Sequence, residues 1–109
     1  MAEEKKAAPK KQNQISIDLP EDLADGVYSN LAIISHSNSE FVVDFIRMLP
    51  NVPKAKVKSR VILTPEHAKR FAAALIENIK KYEKINGPIT EKKNQNQFPP
   101  INFTPTAQA

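Results

Sequence analysis

The side chains in this chain best suited to chemistry are two histidines, His36 and His67, and the residues beside them. Glu66 precedes His67, and an adjacent carboxylate and imidazole are groups that general acid–base catalysis uses. A zinc-binding HExxH motif needs a second histidine four positions further on, and none follows. Ser35 and Ser37 flank His36, but neighbours on a strand point to opposite faces and do not form a nucleophile–base pair. The spacing of these residues predicts no catalytic site.

The rest of the composition also argues against an enzyme. The chain has no cysteine and two glycines, Gly26 and Gly87, so it offers neither a thiolate metal site nor a glycine-rich phosphate loop. Two histidines without a matching carboxylate spacing do not predict a metal site. We therefore expect no enzymatic activity, no cofactor and no metal.

The residues around Glu66 are better explained as the start of a helix. Thr64 stands at the N-cap position, and Pro65 follows where a missing N–H costs no helical hydrogen bond. Glu66 lies in the first turn, where the helix dipole favours a carboxylate. Apolar residues recur at spacings of three and four over 68–82, and Asn-Gly-Pro at 86–88 ends the pattern. The sequence predicts one long amphipathic helix.

Four stretches before this helix have the patterns of strands. Residues 14–19 and 54–63 alternate between apolar and polar side chains. Residues 27–36 are apolar on both faces, which indicates a central strand or one covered by a partner. Residues 40–48 are rich in β-branched and aromatic side chains, and the small polar residues at 37–39 join them to the preceding strand as an antiparallel hairpin. We expect an α+β fold with an antiparallel sheet of about four strands followed by one long C-terminal amphipathic helix.

The chain divides into one foldable region between two polar ends. Residues 1–13 hold one apolar side chain larger than alanine and are predicted to form a disordered basic tail. Residues 14–90 are predicted to form a single α+β domain, and 91–109 an extended, proline-containing tail. So small a core is marginal alone, and without a disulfide we expect a homo-dimer or larger oligomer. The C-terminal tail carries three apolar anchors of a candidate docking segment: Phe98, Ile101 and Phe103.

Charge is distributed unevenly along the chain, whose formal net charge is +4. Residues 14–53 set one arginine against six carboxylates, for −5, whereas residues 54–93 carry +7. This pattern fits solvated faces of both signs, sheet neighbours of opposite charge, a self-complementary oligomer surface, or a basic face for nucleic acid. Asp44, within an apolar strand, is expected to pair with Arg60 or Arg47 because an unpaired buried carboxylate is costly. The candidate contacts to nucleic acid or an acidic partner are Lys54, Lys56, Lys58, Arg60, Lys69 and Arg70.

The sequence also carries no pattern of export or membrane insertion. The N-terminal lysines precede no apolar run, so no signal peptide is predicted. No stretch approaches 18 consecutive apolar residues, so no membrane span is predicted. We expect a cytoplasmic location and no membrane partner.

Two long stretches resemble a family of small bacterial proteins, frequent in Bacteroidota and catalogued as a domain of unknown function: VYSNLAIISHSNSEFVVDFIRMLP at 27–50 and AKVKSRVILTPEHAKRFAAALIENIKKYEKINGPI at 55–89. The signature is SHSxxEFxxDF followed by SRVxLxPEHAKR. The resemblance implies a fold neighbourhood and no particular activity. The order of strands followed by one helix is also similar to the SecB-type export chaperones, which implies an apolar groove for unfolded chains. The short length and net basic charge of this chain depart from that pattern.

These features leave three functions open. The first is a non-enzymatic homo-oligomeric assembly or adaptor module that binds an unidentified protein partner. The second is sequence-tolerant binding of nucleic acid through the basic strand, made by contacts to phosphates. The third is SecB-like chaperone binding of unfolded chains.

Overall fold

The computed structural model describes residues 14–91 and 101–104. Within them the chain forms five elements in this order: helix α1 (Glu21–Ala24), strands β1 (Leu31–His36), β2 (Phe41–Ile46) and β3 (Val57–Leu63), and helix α2 (Pro65–Asn86). The strands make one antiparallel sheet in the order β1-β2-β3. The predicted α+β class, with an antiparallel sheet and a long C-terminal helix, is therefore confirmed, with three strands in place of about four.

The stretch 14–19 accounts for the difference in strand number. It pairs with no strand among the described residues, and its side chains at Ile15 and Ile17 are 84% and 89% exposed. Alternating apolar and polar residues predict a half-buried strand, but no other described element packs against the apolar side chains of this stretch. Helix α1 follows this stretch, and just after the helix the Gly26 N–H donates to the carbonyl of Leu23, with a positive φ of 77° at the glycine.

β1 and β2 form the predicted hairpin. Their register runs from Leu31 opposite Ile46 to His36 opposite Phe41. In the connecting turn, the Ser37 N–H donates to the carbonyl of Glu40 at 2.9 Å. The central strand is β2, and β1 lies at the edge of the sheet, contrary to one of the two interpretations of its two apolar faces.

Polar side chains extend the hairpin beyond the last strand residues. The amide of Asn30 accepts from the Met48 N–H at 2.8 Å and donates to the Met48 carbonyl at 2.9 Å. The Ser29 hydroxyl donates to the carbonyl of Ile46 at 3.0 Å. These bonds imitate a backbone ladder, and they hold the open end of the hairpin closed.

Residues that are paired across the strands share a face of the sheet, so the register defines two faces. The Val43 face consists of Ala32, Ile34, His36, Phe41, Val43, Phe45, Ser59, Val61 and Leu63. The Asp44 face consists of Leu31, Ile33, Ser35, Val42, Asp44, Ile46, Val57, Arg60 and Ile62. Among the described residues the buried hydrophobic core is limited to one side chain on each face, Val43 and Ile46.

Helix α2 projects from the sheet and does not pack on it. Packing between elements is concentrated in the two strand pairs, and α2 makes no comparable contact with the strands. Its residues are exposed apart from Ala68 and Glu83, which are half-buried. The helix ends as predicted, with Gly87 at a φ of 87° and its N–H bonded to the carbonyl of Glu83 at 2.8 Å. Within 14–91 and 101–104, no helix combines the length and the apolar composition that a membrane crossing requires.

Candidate interaction surfaces

Asp44 and Arg60 form a bidentate ion pair on the Asp44 face. They are direct cross-strand partners, with Arg60 Nε 2.6 Å from Asp44 Oδ1 and Arg60 Nη2 2.9 Å from Asp44 Oδ2. Asp44 is 2% exposed, whereas the Arg60 side chain is 37% exposed. The hydrogen bond from Arg60 outweighs desolvation and lowers the pKa of Asp44, while the same bond raises the pKa of Arg60. The carboxylate therefore stays ionised at neutral pH and ties β2 to β3.

The residues that resemble an acid–base site have structural partners at the start of α2. Thr64 Oγ1 accepts the His67 N–H at 3.2 Å, as an N-cap side chain does. Pro65 is the first residue of the helix. The Glu66 carboxylate forms an ion pair with Arg70 one turn further on. Every part of this stretch thus serves the helix terminus.

The contacts of His36 are those of a residue that stabilises the hairpin. Its ring stacks on Phe41 across the hairpin, with the centroids 5.3 Å apart and the planes at 27°. The hydroxyls of Ser37 and Ser39 lie 3.3 Å from each other within the turn. In the part of the chain that the structure describes, no three histidine or acidic side chains group closely enough to bind a metal ion.

Among the described residues, the basic candidates separate into arginines paired with carboxylates and lysines with exposed side chains. Arg60 and Arg70 are held by Asp44 and Glu66, so both guanidiniums already have carboxylate partners. The remaining four candidates have exposed side chains and lie before β3, within β3 and at the start of α2: Lys54, Lys56, Lys58 and Lys69. β3 begins only at Val57, so the first two lysines precede the strand.

Part of the candidate docking tail lies against the sheet. Ile101 and Phe103 line a pocket together with Asn102. The other side of this pocket comes from the Asp44 face and the loop that follows β2: Leu31, Ile33, Ile46, Met48, Val52, Pro53 and Ala55. Phe98, the third anchor, lies outside the described residues, as do 1–13 of the predicted N-terminal tail.

A long uncovered apolar surface lies on α2 in the described part of the chain, and the sequence did not indicate that it would be free. The α2 stripe consists of Ala68, Phe71, Ala72, Leu75, Ile76, Ile79 and Tyr82. Its five large side chains are between 37% and 54% exposed. An amphipathic stripe normally faces the core of its own domain. The unusual feature is therefore the missing contact with the sheet, which no local pattern encodes.

The Val43 face is a second uncovered apolar surface. Seven of its nine positions are apolar, the exceptions being His36 and Ser59. Ile34 on β1 is 64% exposed and Val61 on β3 is 39% exposed. The flanking strands thus leave this face open to solvent, with Val43 sheltered at its centre.

The fold and these surfaces define a small α+β protein whose exposed apolar surface is large compared with its core. Residues 1–91 match the family described as "Protein of unknown function (DUF3467)", and the chain belongs to that family. The resemblance to a small domain-of-unknown-function family is thereby confirmed, and the match includes the whole sheet and α2. Neither the curated proteins nor the solved structures contain a match to this chain.

Proposed function

We propose that this chain is a non-enzymatic assembly or adaptor module that acts as a homo-oligomer and binds a protein partner. The α2 stripe carries the proposal, because five large apolar side chains stand 37–54% exposed on a helix without a partner in the sheet. Contiguous apolar patches of this kind on a soluble protein mark interaction sites. The proposal retains the cytoplasmic location expected from the sequence.

The first test is the mass of the protein in solution. We expect light scattering at micromolar concentration to give at least twice the monomer mass, with a narrow distribution. A monomer over the whole accessible range would remove the proposal. A tagged pull-down with nuclease treatment then tests the adaptor role, since a stoichiometric protein partner should survive the nuclease.

Nucleic-acid binding remains the second candidate because four exposed lysines lie near β3 and the start of α2. Two of the six basic candidates are engaged by carboxylates, which weakens the electrostatic contribution. Fluorescence anisotropy with labelled single-stranded and duplex DNA at low salt tests this candidate. Affinity no better than millimolar would exclude it.

A chaperone role is the third candidate, and the exposed apolar surfaces favour it. A chaperone keeps such surfaces available to unfolded chains, whereas an assembly buries them within one oligomer. Suppression of aggregation of an unfolded client at stoichiometric ratio would support the chaperone role. If the client aggregates at an unchanged rate, the assembly role is favoured.

A further inference from the structure

The α2 stripe and the Val43 face are two exposed apolar surfaces of similar length on the same chain. Both are apolar and exposed, and α2 does not pack on the strands as the strands pack on each other. The large side chains of the stripe run from Phe71 to Tyr82, about 16 Å along a helix. A strand of six or seven residues is about 20 Å long, so the two surfaces are of similar length.

The connection between β3 and α2 explains why a chain does not cover its own Val43 face. Only Thr64 separates the last residue of β3 from the first residue of α2. Its φ of −67° and ψ of 154° are those of extended backbone. Connections that return a helix onto its sheet commonly use about two to six residues. The single residue therefore directs α2 away from the sheet.

The breadth of the α2 stripe favours a sheet as its partner over another helix. Ile76 and Phe71 lie on opposite sides of the stripe centre, so the apolar surface spans more than about 100° of the helix circumference. A paired coiled-coil helix needs only a narrower seam. A three-stranded face offers the wider surface.

We propose that α2 of one copy packs its stripe on the Val43 face of a second copy, and that the second copy returns the same contact. This inference rests on the proposed homo-oligomeric function and identifies its interface. The reciprocal contact closes a two-fold dimer. A standard stable interface buries about 1,600 Å² in total, and the reciprocal contact uses two apolar surfaces from each copy to supply it.

Disulfide crosslinking between two differently tagged chains tests the contact, because the chain contains no cysteine. One chain carries Leu75→Cys in the stripe, and the other carries Val61→Cys on the Val43 face. The chains are mixed, exchanged in mild denaturant and oxidised. A disulfide between the two tags is necessarily intermolecular, since each chain holds a single thiol. We expect it to form in a large fraction of the mixed dimers.

The matched control is Glu77→Cys, two residues further along α2 and on the opposite side of the helix. Paired with Val61→Cys, it should crosslink at a yield several-fold lower than Leu75→Cys. Ala72→Cys, a replacement of one small side chain by another within the stripe, provides a second test if Leu75→Cys impairs folding. Circular dichroism establishes that each variant retains its helix.

The outcomes separate this inference from the function on which it rests. A monomer in light scattering would remove both. A stable dimer in which stripe cysteines join only each other, with no stripe-to-sheet product above the Glu77→Cys control, would leave the oligomer standing. It would replace this contact by helix-to-helix pairing. A dimer with stripe-to-sheet disulfides supports the contact as stated.

Discussion

The ion pair between Asp44 and Arg60 shows how register decides a residue's partner. The sequence left Arg60 and Arg47 as alternatives for Asp44. Arg60 lies directly opposite the carboxylate, whereas the guanidinium of Arg47 lies 5.2 Å from the centre of the Tyr28 ring. The register between β2 and β3 shifts at Phe45 and Ile46, so counting along the sequence does not identify the pair.

Replacing the two members of this pair should have unequal effects on stability. Asp44→Asn leaves a guanidinium that water already reaches, so we expect the free energy of unfolding to fall by about 1–2 kcal/mol. Arg60→Met strands a carboxylate that is 2% exposed, so it should be the more destabilising change. Urea unfolding of both variants measures the difference.

Arg47→Met provides the control, because it removes an arginine outside the pair. The double variant Asp44→Asn/Arg60→Met should be more stable than Arg60→Met alone, since it no longer buries an unpaired charge. Finding Asp44→Asn more harmful than Arg60→Met would contradict the assignment of Asp44 as the buried member.

The pair should also make stability depend on pH. The hydrogen bond from Arg60 lowers the pKa of Asp44 below its ordinary value of 3.8. The stabilisation is therefore fully present above that value and is lost as pH falls through the lower folded pKa. In Arg60→Met the guanidinium is gone, so burial raises the pKa of Asp44. Protonation of Asp44 then removes the buried unpaired charge and reduces the destabilisation of this variant.

We expect the stability difference between the natural protein and Arg60→Met to shrink from about pH 7 to about pH 3. Urea unfolding at several pH values and one protein concentration gives this difference. A difference that stays constant across the range would show that Asp44 does not titrate as described.

At the scale of elements, the start of α2 has the clearest local cause. Thr64 Oγ1 satisfies the His67 N–H, one of the donors that a helix start leaves without an intrahelical partner. Thr64→Ala should lower the free energy of unfolding by about 1 kcal/mol. Thr64→Ser keeps a hydroxyl at the cap position, so its free energy of unfolding should stay close to that of the natural protein. Thermal unfolding followed by far-UV circular dichroism compares the two. Equal losses would mean that the hydroxyl does not act as the cap.

The elements that local sequence predicted well are those whose signals lie within a few residues. The boundaries of α2 follow from a cap, a proline and a glycine, and the hairpin follows from its turn. Strand pairing depends on what lies beside a segment, so alternation alone wrongly made 14–19 a strand. The exposure of the α2 stripe was missed for the same reason. An apolar stripe predicts that one face of a helix is buried, but it does not identify the element that packs on that face.

At the scale of the whole molecule, exposed apolar surface outweighs the buried core. Two hydrophobic side chains are buried in the described residues, whereas those of the α2 stripe and of Ile34 on the Val43 face remain in water. Small domains are marginal even when their core is complete. This excess of exposed apolar surface supports the proposed association with a second copy.

The response to salt distinguishes apolar from charged association. If apolar contact holds the oligomer together, its mass should be unchanged between about 0.1 M and about 1 M sodium chloride, where screening removes attraction between exposed charges. Analytical ultracentrifugation at both concentrations measures it. Dissociation at high salt would instead assign the contact to the opposite charges of residues 14–53 and 54–93.

If the dimer forms as proposed, the single residue between β3 and α2 also determines the kinetics of folding. In the proposed dimer the link is a hinge too short for closure, which makes domain swapping the route to the native state. Burial of α2 then becomes a second-order reaction whose rate rises with protein concentration. A flexible insertion between Leu63 and Thr64 should let the helix return to its own sheet and make the reaction first-order. For the natural chain, dilution below the dissociation constant of the proposed dimer should then expose α2 and lower the apparent stability.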